Sequence, residues 1–188
     1  MARATAAEAA ETGRRILAAA TAQFAEHGYA EASVDDIATI SGVTRGAVYH
    51  HYSSKPKLFA AVAEAQQQAL SETIAQATVD AADDNALRLG SHAYLDAITQ
   101  GAAVRVLLID GPAVLSWEEW RRLDADGPVA RLREGLALTG IDAEILEPLT
   151  AGLSGAMNEI ALWLAEQTSD ATASVRAHQA LDRLLDSI

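Results

Sequence analysis

One glycine, placed between two short apolar segments, constrains the fold of this chain more than any other feature. Gly42 stands in Ser41-Gly42-Val43, and a glycine readily takes the positive φ that a tight turn between crossed helices requires. Apolar spacing predicts a short helix over 34–40 before the turn and another over 45–51 after it. We expect Val43 to point back into the core. The sequence thus predicts two short helices that cross at a glycine turn.

Both short helices are preceded by residues suited to capping them. The Ser33 hydroxyl can accept the amide hydrogen of Asp36, in a close relative of the capping box. The carboxylates of Asp35 and Asp36 favour the positive end of the helix dipole. Thr44 is a good N-cap for the second of the two helices. We expect the first one to bury Val34, Ile37 and Ile40.

Apolar periodicity extends this helical pattern over the rest of the chain. A helix is predicted from about Glu11 to His27, where Ile16, Ala20 and Phe24 form one stripe and Gly28 is suited to a C-terminal cap. Another, capped by Ser53 or Ser54, should extend to about Val79. Further helices are expected near 84–100, 102–109, 116–124, 128–138, 142–166 and 170–187, with breakers at Asp110-Gly111-Pro112 and Asp126-Gly127-Pro128. The prediction is an all-α fold: an N-terminal helix-turn-helix domain over 1–55 and a helical domain over 56–188.

Charge is distributed unevenly between these two parts. The formal net charge is -12, which by itself argues against a nucleic-acid partner. Residues 1–57 nevertheless hold six basic and six acidic side chains, whereas residues 58–188 hold eight basic and twenty acidic ones. An acidic body repels the DNA polyanion, so any contact with DNA should come from the neutral head.

Composition also excludes several classes of protein. The absence of cysteine excludes disulfides and thiolate metal sites. The N-terminal residues lack the long apolar core of a signal peptide, and we find no uncharged apolar stretch of roughly 18 residues for a membrane span. We therefore expect a cytoplasmic protein with no membrane partner, no metal and no cofactor.

The helix after the glycine turn is short, so the side chains that it can present are few. Arg45 at its start can offer a bidentate fork to guanine, and the small Gly46 and Ala47 allow the backbone to approach base edges. Val48 and Tyr52 should face inward. Thr44, Tyr49, His50 and Lys55 are better placed for phosphates. Two alternatives remain: Tyr49 as a core aromatic, and His51 packed against the turn. Adjacent His50 and His51 point in different directions, which disfavours a metal pair.

These residues together resemble the DNA-binding signature of the tetracycline-repressor (TetR) family. The resemblance covers about 45 residues and is carried by Ile16-Leu17-x-x-Ala20-x-x-x-Phe24-x-x-x-Gly28-Tyr29, by Ser33-Val34-x-x-Ile37-Ala38, and by Ser41-Gly42-Val43-Thr44-Arg45-Gly46-x-Val48-Tyr49-His50-His51-Tyr52-x-x-Lys55-x-x-Leu58. It implies DNA contacts on the recognition helix at Arg45, Gly46, Ala47, Tyr49, His50 and His51, a phosphate contact at Lys55, and backbone contacts at Thr44, Ser33 and Val34. Asp35 and Asp36 depart from this expectation, because their negative charge opposes phosphate binding at that turn.

The resemblance further implies a homodimer. Two heads about one helical turn apart would read a palindromic operator, which one small head cannot bind usefully. Apolar residues recur along the predicted helix over 142–166, and the last helix repeats the pattern. The expected dimer residues are Leu146, Leu149, Leu153, Met157, Ile160, Leu181 and Leu184, with an intramolecular core as the alternative for some of them.

The central helices of the family form a cavity for a small-molecule effector, and the same is implied here. Candidate pocket residues are Tyr94, Leu108, Trp117, Trp120, Asn158 and Trp163, with core packing as the alternative for each. A buried Asn158 would need hydrogen-bond partners, which favours it as a polar contact. The resemblance implies a repressor of transcription that its unidentified effector releases from the operator.

Two rival functions are weighed against this one. An enzyme is disfavoured because Gly152-Leu153-Ser154-Gly155 has the wrong spacing for a nucleophile elbow, and no phosphate loop or zinc-protease motif is present. A DNA-bound activator or scaffold that recruits a protein partner fits the same sequence. A collapsed body without a cavity would favour that second alternative.

Overall fold

The computed structural model describes residues 6–188, apart from the side chain of Asp84, and the regular elements of that part of the chain are all helices, joined by turns and loops. Ten are α-helices, and a π-helix lies between the fifth and sixth of them. The predicted N-terminal domain includes residues 1–5, which lie outside the described residues. The helices are α1 (Ala6–Glu31), α2 (Val34–Ser41), α3 (Arg45–Tyr52), α4 (Lys55–Thr78), α5 (Asp83–Ile98), the π-helix (Val104–Asp110), α6 (Gly111–Val114), α7 (Trp117–Ala125), α8 (Pro128–Leu138), α9 (Ala143–Glu166) and α10 (Ala173–Leu185).

The head formed by α1 to α3 packs around an aromatic cluster. The ring of Phe24 lies 5.2 Å from that of Phe59, edge to face, and Tyr29 contacts Phe59 at the same centroid distance. Phe24 and Phe59 are fully buried, and the start of α4 supplies Leu58 and Val62 to the same core. The core of the head thus extends beyond residue 55.

The expectation for Ile40 is wrong, because its side chain is 59% exposed. The face of α2 that packs inward consists of Val34, Ile37, Ala38 and Ser41, and Ile40 lies roughly a third of a turn away from its centre. Apolar character alone therefore did not identify the buried face.

A kink at Gly28 separates the last turn of α1 from the rest of that helix. Gly28 has φ 75° and ψ 169°, a conformation available almost only to glycine, and helical residues resume after it. The Tyr29 amide donates a hydrogen bond of 2.8 Å to the Asp110 carboxylate. The helix end predicted at His27 thus coincides with the kink, and Asp110 at the end of the π-helix binds the residue that follows the kink.

The predicted break at Asp110-Gly111-Pro112 is wrong. The backbone stays helical from Val104 to Val114, with Gly111 at φ -53° and ψ -53°. Pro112 lies in the first turn of α6, and the φ that its ring imposes is compatible with a helix. A Cβ on Gly111 would lie 2.8 Å from the Val106 carbonyl oxygen, so glycine fits this close approach. The break predicted at Asp126-Gly127-Pro128 is confirmed, since α7 ends at Ala125 and α8 begins at Pro128.

A polar network joins α5 to α10. The Nδ1 atoms of His92 and His178 lie 2.6 Å apart, so one ring must donate the shared hydrogen and the other accept it. The Nε2 atom of His92 lies 2.9 Å from Asp182, and that of His178 lies 2.9 Å from Asp96. Arg88 pairs with Asp182 as well. The last helix is thereby fixed to the middle of the body by charged and polar contacts.

Within residues 6–188, none of the helices has both the length and the apolar character needed to traverse a bilayer.

Candidate nucleic-acid interface

The turn between α2 and α3 has the geometry that the sequence predicts. Gly42 adopts φ 67° and ψ 35°, and its amide donates to the Thr39 carbonyl at 3.1 Å. The Val43 amide donates to the Ala38 carbonyl at 2.9 Å, which closes the end of α2. These two bonds fix the direction in which α3 leaves the turn.

Side-chain caps fix the first turns of both helices. The Ser33 hydroxyl accepts the amides of Asp35 and Asp36 at 3.2 and 3.3 Å. The Thr44 hydroxyl accepts the Ala47 amide at 3.2 Å. Both caps are confirmed. Val34 is buried in the core of the head, so only its backbone remains available for the DNA contact predicted there.

One side of α3 is exposed and the other is buried, which defines a recognition surface. Val48 is 1% exposed and anchors α3 to the head. On the other side, Thr44, Arg45, Gly46 and His50 are exposed, whereas Ala47 and Tyr49 are half-buried, and we term these six residues the recognition surface. A Cβ on Gly46 would contact only the Thr44 hydroxyl within 4 Å among the described atoms, so the backbone there is open to a close partner.

Arg45 is already engaged at the edge of this surface. Its Nη1 atom lies 2.6 Å from the Asp35 carboxylate, and Nη2 donates to the Tyr49 hydroxyl at 3.2 Å. Its guanidinium carbon lies 5.4 Å from the centroid of the Tyr49 ring. Both members of the ion pair are more than half exposed, and water and salt screen such a pair strongly. Arg45 can therefore exchange Asp35 for a partner outside the chain.

Lys55 contacts the head itself. Its ammonium donates to the Ala30 carbonyl at 3.1 Å and lies 4.7 Å from the centroid of the Tyr29 ring. The lysine thus joins the start of α4 to the end of α1. The phosphate contact of Lys55 stays a prediction. To make it, the ammonium would have to reach a phosphate from its place beside Ala30 and Tyr29.

His51 and Tyr52 lie on the side of α3 that faces α1. The Tyr52 hydroxyl donates to the Gly13 carbonyl at 2.9 Å, and burial raises the pKa of that hydroxyl. A Cβ on Gly13 would lie 3.6 Å from His51 Nδ1, so this ring packs close to α1. The contact favours the alternative in which His51 is a packing residue.

Sequence reasoning did not single out Arg15 as a candidate. This exposed side chain reaches the glycine turn from α1, where its Nη1 atom would lie 3.6 Å from a Cβ on Gly42. Its position next to the buried Ile16 was the available signal, because that spacing puts Arg15 at the edge of the apolar stripe of α1.

A cavity of about 210 Å³ lies in the body, between α4, α5, α7, α8 and α9. Tyr94, one of the six predicted pocket residues, lines it, and the Tyr94 hydroxyl donates to Asn158. The others do not line it. Trp117 is 70% exposed, and the Trp120 indole donates to the Leu107 carbonyl at 3.2 Å. Leu108 and Trp163 also lie outside.

Asp124 lines the same cavity and was not predicted. Burial raises the pKa of its carboxyl, while Arg121 and a hydrogen bond from Gln67 oppose that rise. The Tyr94 hydroxyl also has a raised pKa, mainly through burial. Among the described residues, the buried oxygens of Ser91 and Gln67 have no hydrogen-bond partner. Of these two residues Ser91 lines the cavity, which therefore combines apolar walls with an unpartnered hydroxyl.

The expected dimer residues divide into two groups. Leu146, Leu153, Met157 and Leu181 are at most 8% exposed and belong to the core of the single chain. Leu149, Ile160 and Leu184 are only partly buried. Two of these, Leu149 and Ile160, lie on a second face of α9 that is exposed or half-exposed. We term that face the α9 stripe, and it consists of Ile145, Leu149, Gly152, Ala156, Ile160 and Trp163.

Both parts of the chain match known sequence families. Residues 16–62 match the family described as bacterial regulatory proteins of the tetR family, and residues 84–188 match the tetracyclin repressor-like C-terminal domain. The transcriptional regulator SrpR of Pseudomonas putida is 49% identical over 70 residues, which are 37% of this chain and 33% of that protein. This chain therefore aligns with only a minor part of that curated relative.

Solved structures match over nearly the whole length. A TetR-family transcriptional regulator from Pectobacterium atrosepticum is 32% identical, with a TM-score of 0.75 over 98% of this chain and 97% of that one. The transcriptional regulator FadR from Bacillus subtilis, solved in complex with stearoyl-CoA, has a TM-score of 0.79 at 16% identity, over 93% of this chain and 98% of that one. The latter likeness concerns the fold.

Proposed function

The chain belongs to the TetR family of DNA-binding transcriptional regulators, and from that premise we propose that it is a cytoplasmic, homodimeric repressor released from a palindromic operator by a small molecule. The observation that carries the proposal is the recognition surface, which Gly42 and Val48 position on the outside of a head with no net charge. The acidic body beneath it disfavours contact with DNA elsewhere.

Five residues of the recognition surface have roles that their chemistry supports. Arg45, once released from Asp35, presents its fork to a guanine edge, and Gly46 and Ala47 let the helix backbone approach the bases. Tyr49 and His50 lie further along α3 and are suited to phosphate oxygens. Arg15 adds a cation beside the turn.

Operator selection from random DNA tests these roles. Arg45→Ala should relax specificity at one base position, at a cost of about 1–3 kcal/mol, whereas Arg15→Ala should weaken all sequences alike and lower the salt slope by about 1. Arg183→Ala, on the exposed side of α10, is the matched control and should bind like the wild type. Unchanged selectivity in Arg45→Ala would remove Arg45 from base recognition.

The α9 stripe supports dimerisation, because apolar side chains there surround a glycine that leaves room for a second helix. A Cβ on Gly152 would meet no described atom within 4 Å, so a larger residue should leave the protomer intact. Gly152→Leu should give monomers by sedimentation and lose tight operator binding. Ala151→Leu, exposed on another face of the same helix, is the control. A fully dimeric Gly152→Leu protein would place the interface elsewhere.

Release by a ligand requires a path from the cavity to the head, and α4 supplies one. This helix begins at Lys55, which contacts the head, and Ile74 and Thr78 near its end line the cavity. A ligand changes operator affinity only through its different affinities for two arrangements of the heads. The cavity also favours a ligand-responsive regulator over a scaffold. If no cavity ligand altered operator affinity in a titration, the release mechanism would be wrong.

A further inference from the structure

The cavity wall carries a half-buried carboxyl and an unpartnered hydroxyl, both of which can accept hydrogen bonds. The half-buried Asp124 carboxyl lines the cavity and receives a hydrogen bond from the Gln67 side chain. The Ser91 hydroxyl on the cavity wall has no hydrogen-bond partner within residues 6–188. Gln67 does not line the cavity itself, and its buried Oε1 atom also lacks a partner among these residues. The Asp124 carboxyl and the Ser91 hydroxyl can both accept, and this favours a ligand that brings its own N–H donors.

The charges around the cavity favour a cation. Three carboxylates, those of Asp83, Asp124 and Glu134, line it together with a single guanidinium, that of Arg131. Arg131 pairs with Glu134 at 3.0 Å. The guanidinium of Arg121, which also acts on Asp124, lies 5.5 Å from the Trp117 ring centroid. Residues 58–188 as a whole carry the net negative charge of the chain, so the long-range potential has the same sign.

The remaining walls set the size and the apolar character of the ligand. Ile74, Leu87, Val129, Leu132 and Met157 line the cavity. Its volume of about 210 Å³ exceeds the roughly 150 Å³ of an engineered apolar cavity that binds benzene. One aromatic ring with a short alkyl chain therefore matches the available space.

We infer that the cavity takes a small hydrophobic amine in its protonated form, with the ammonium group against Asp124 and the apolar part between α5 and α8. The regulatory meaning of this site rests on the proposed function, but the ligand class does not. Burial raises the pKa of the Asp124 carboxyl in the empty protein, and a neighbouring ammonium favours the ionised form. Affinity for an amine should therefore rise with pH as Asp124 ionises. The other titratable groups that interact electrostatically with Asp124 are Arg121 and Tyr94.

Calorimetry with the full-length chain and three matched probes tests this inference. The probes are 4-phenylbutylamine, 4-phenyl-1-butanol and 4-phenylbutyrate, which share one ring and one chain and differ in charge. The amine should bind at least about tenfold more tightly than the alcohol, which corresponds to 1.4 kcal/mol, and the carboxylate most weakly. Asp124→Asn should reduce the preference for the amine to about twofold or less. Asp126→Asn removes the same charge from an exposed site two residues away and should keep the preference.

Several outcomes would overturn the inference. The alcohol or the carboxylate could bind the wild type as tightly as the amine, Asp124→Asn could keep the amine preference, or none of the probes could bind. If Asp124→Asn fails to fold, the affinities of the wild type for the amine and the alcohol are measured over a pH series. An amine affinity that does not rise with pH relative to the alcohol affinity contradicts the role of Asp124.

Operator affinity, measured separately with each probe, keeps the two proposals apart. Selective binding of the amine without any effect on operator affinity would retain the ligand class and reject release. Release by the alcohol and the carboxylate as effectively as by the amine would retain release and reject the ligand class.

Discussion

Gly28→Ala should destabilise the protein more than the same change at another glycine with positive φ. At φ 75° and ψ 169°, a residue with a Cβ incurs a backbone penalty of about 1–3 kcal/mol. The new Cβ would also lie 3.0 Å from Arg105 Cζ, and the end of the guanidinium would be closer still. Arg105 would have to move away from Asp110, whose carboxylate lies 3.8 Å from its Nε atom. Loss of that contact adds up to about 1 kcal/mol, so the expected total is about 1–4 kcal/mol.

A comparison of variants by denaturant unfolding separates these two contributions. Gly140→Ala also changes a residue with positive φ, 81°, but no described atom lies within 4 Å of the new Cβ, so its cost should be about 1–2 kcal/mol. Arg105→Ala removes the guanidinium and should relieve the clash in the double variant with Gly28→Ala. The combined cost should therefore be about 1 kcal/mol below the sum of the single costs.

The reasoning about Gly28 fails on either of two results. Equal losses in Gly28→Ala and Gly140→Ala would mean that the contact with Arg105 contributes nothing. Strict additivity of Gly28→Ala and Arg105→Ala would mean that the two residues do not interact, and the head would then not be held to the π-helix through this contact.

Three further changes probe the core and the titrating groups. Phe24→Ala should lower the free energy of unfolding by about 3–5 kcal/mol in denaturant melts, because the ring is fully buried against Phe59; a loss below 1 kcal/mol would contradict that packing. The pKa of Asp124 is raised, so the folded state loses stability as pH rises through that pKa. Asp124→Asn should therefore melt at a higher temperature than the wild type at pH 7, and the difference between the two melting temperatures should be smaller in acid. A lower melting temperature for Asp124→Asn at pH 7 would contradict this reasoning. The pKa of Asp182 is lowered, first by its hydrogen bond with His92, so Asp182 stabilises the fold above its unfolded pKa and this stabilisation is lost as pH falls through the folded pKa. Asp182→Asn should therefore lower the melting temperature at pH 7 and flatten the acid end of the plot of melting temperature against pH. An unchanged plot would exclude this linkage.

Local signals in the sequence were sufficient for the turn and the caps of the head. Gly42, Ser33 and Thr44 act within a few residues of their partners, so the residue types alone predict their geometry. The break predicted at Gly111-Pro112 also relied on residue types alone, and it is wrong. Both residues are compatible with the start of a helix, and only the packing around Gly111 shows that the backbone continues.

The buried face of α9 and the lining of the cavity depend on contacts between residues that are distant in sequence. Apolar spacing on α9 marks two faces, but it does not say that Leu153 and Met157 meet their own chain while Ile145 stays 53% exposed. Asp124 follows two arginines on a helix, a context typical of solvated charge, and its burial depends on packing against other helices. The cavity therefore could not be assembled from the tryptophans that the sequence emphasised.

The Arg45–Asp35 pair has a consequence for how fidelity should vary with ionic strength. Wherever this arginine meets a guanine, it first leaves a carboxylate in its own chain, so one charge contact replaces another and few small ions are released. Contacts to phosphates release condensed cations and weaken steeply as salt is added. If Arg45 reads a base as proposed, raising the salt should reduce binding to random DNA faster than it reduces the discrimination by Arg45, and selectivity for the operator should be highest at salt concentrations where total affinity for DNA is lower.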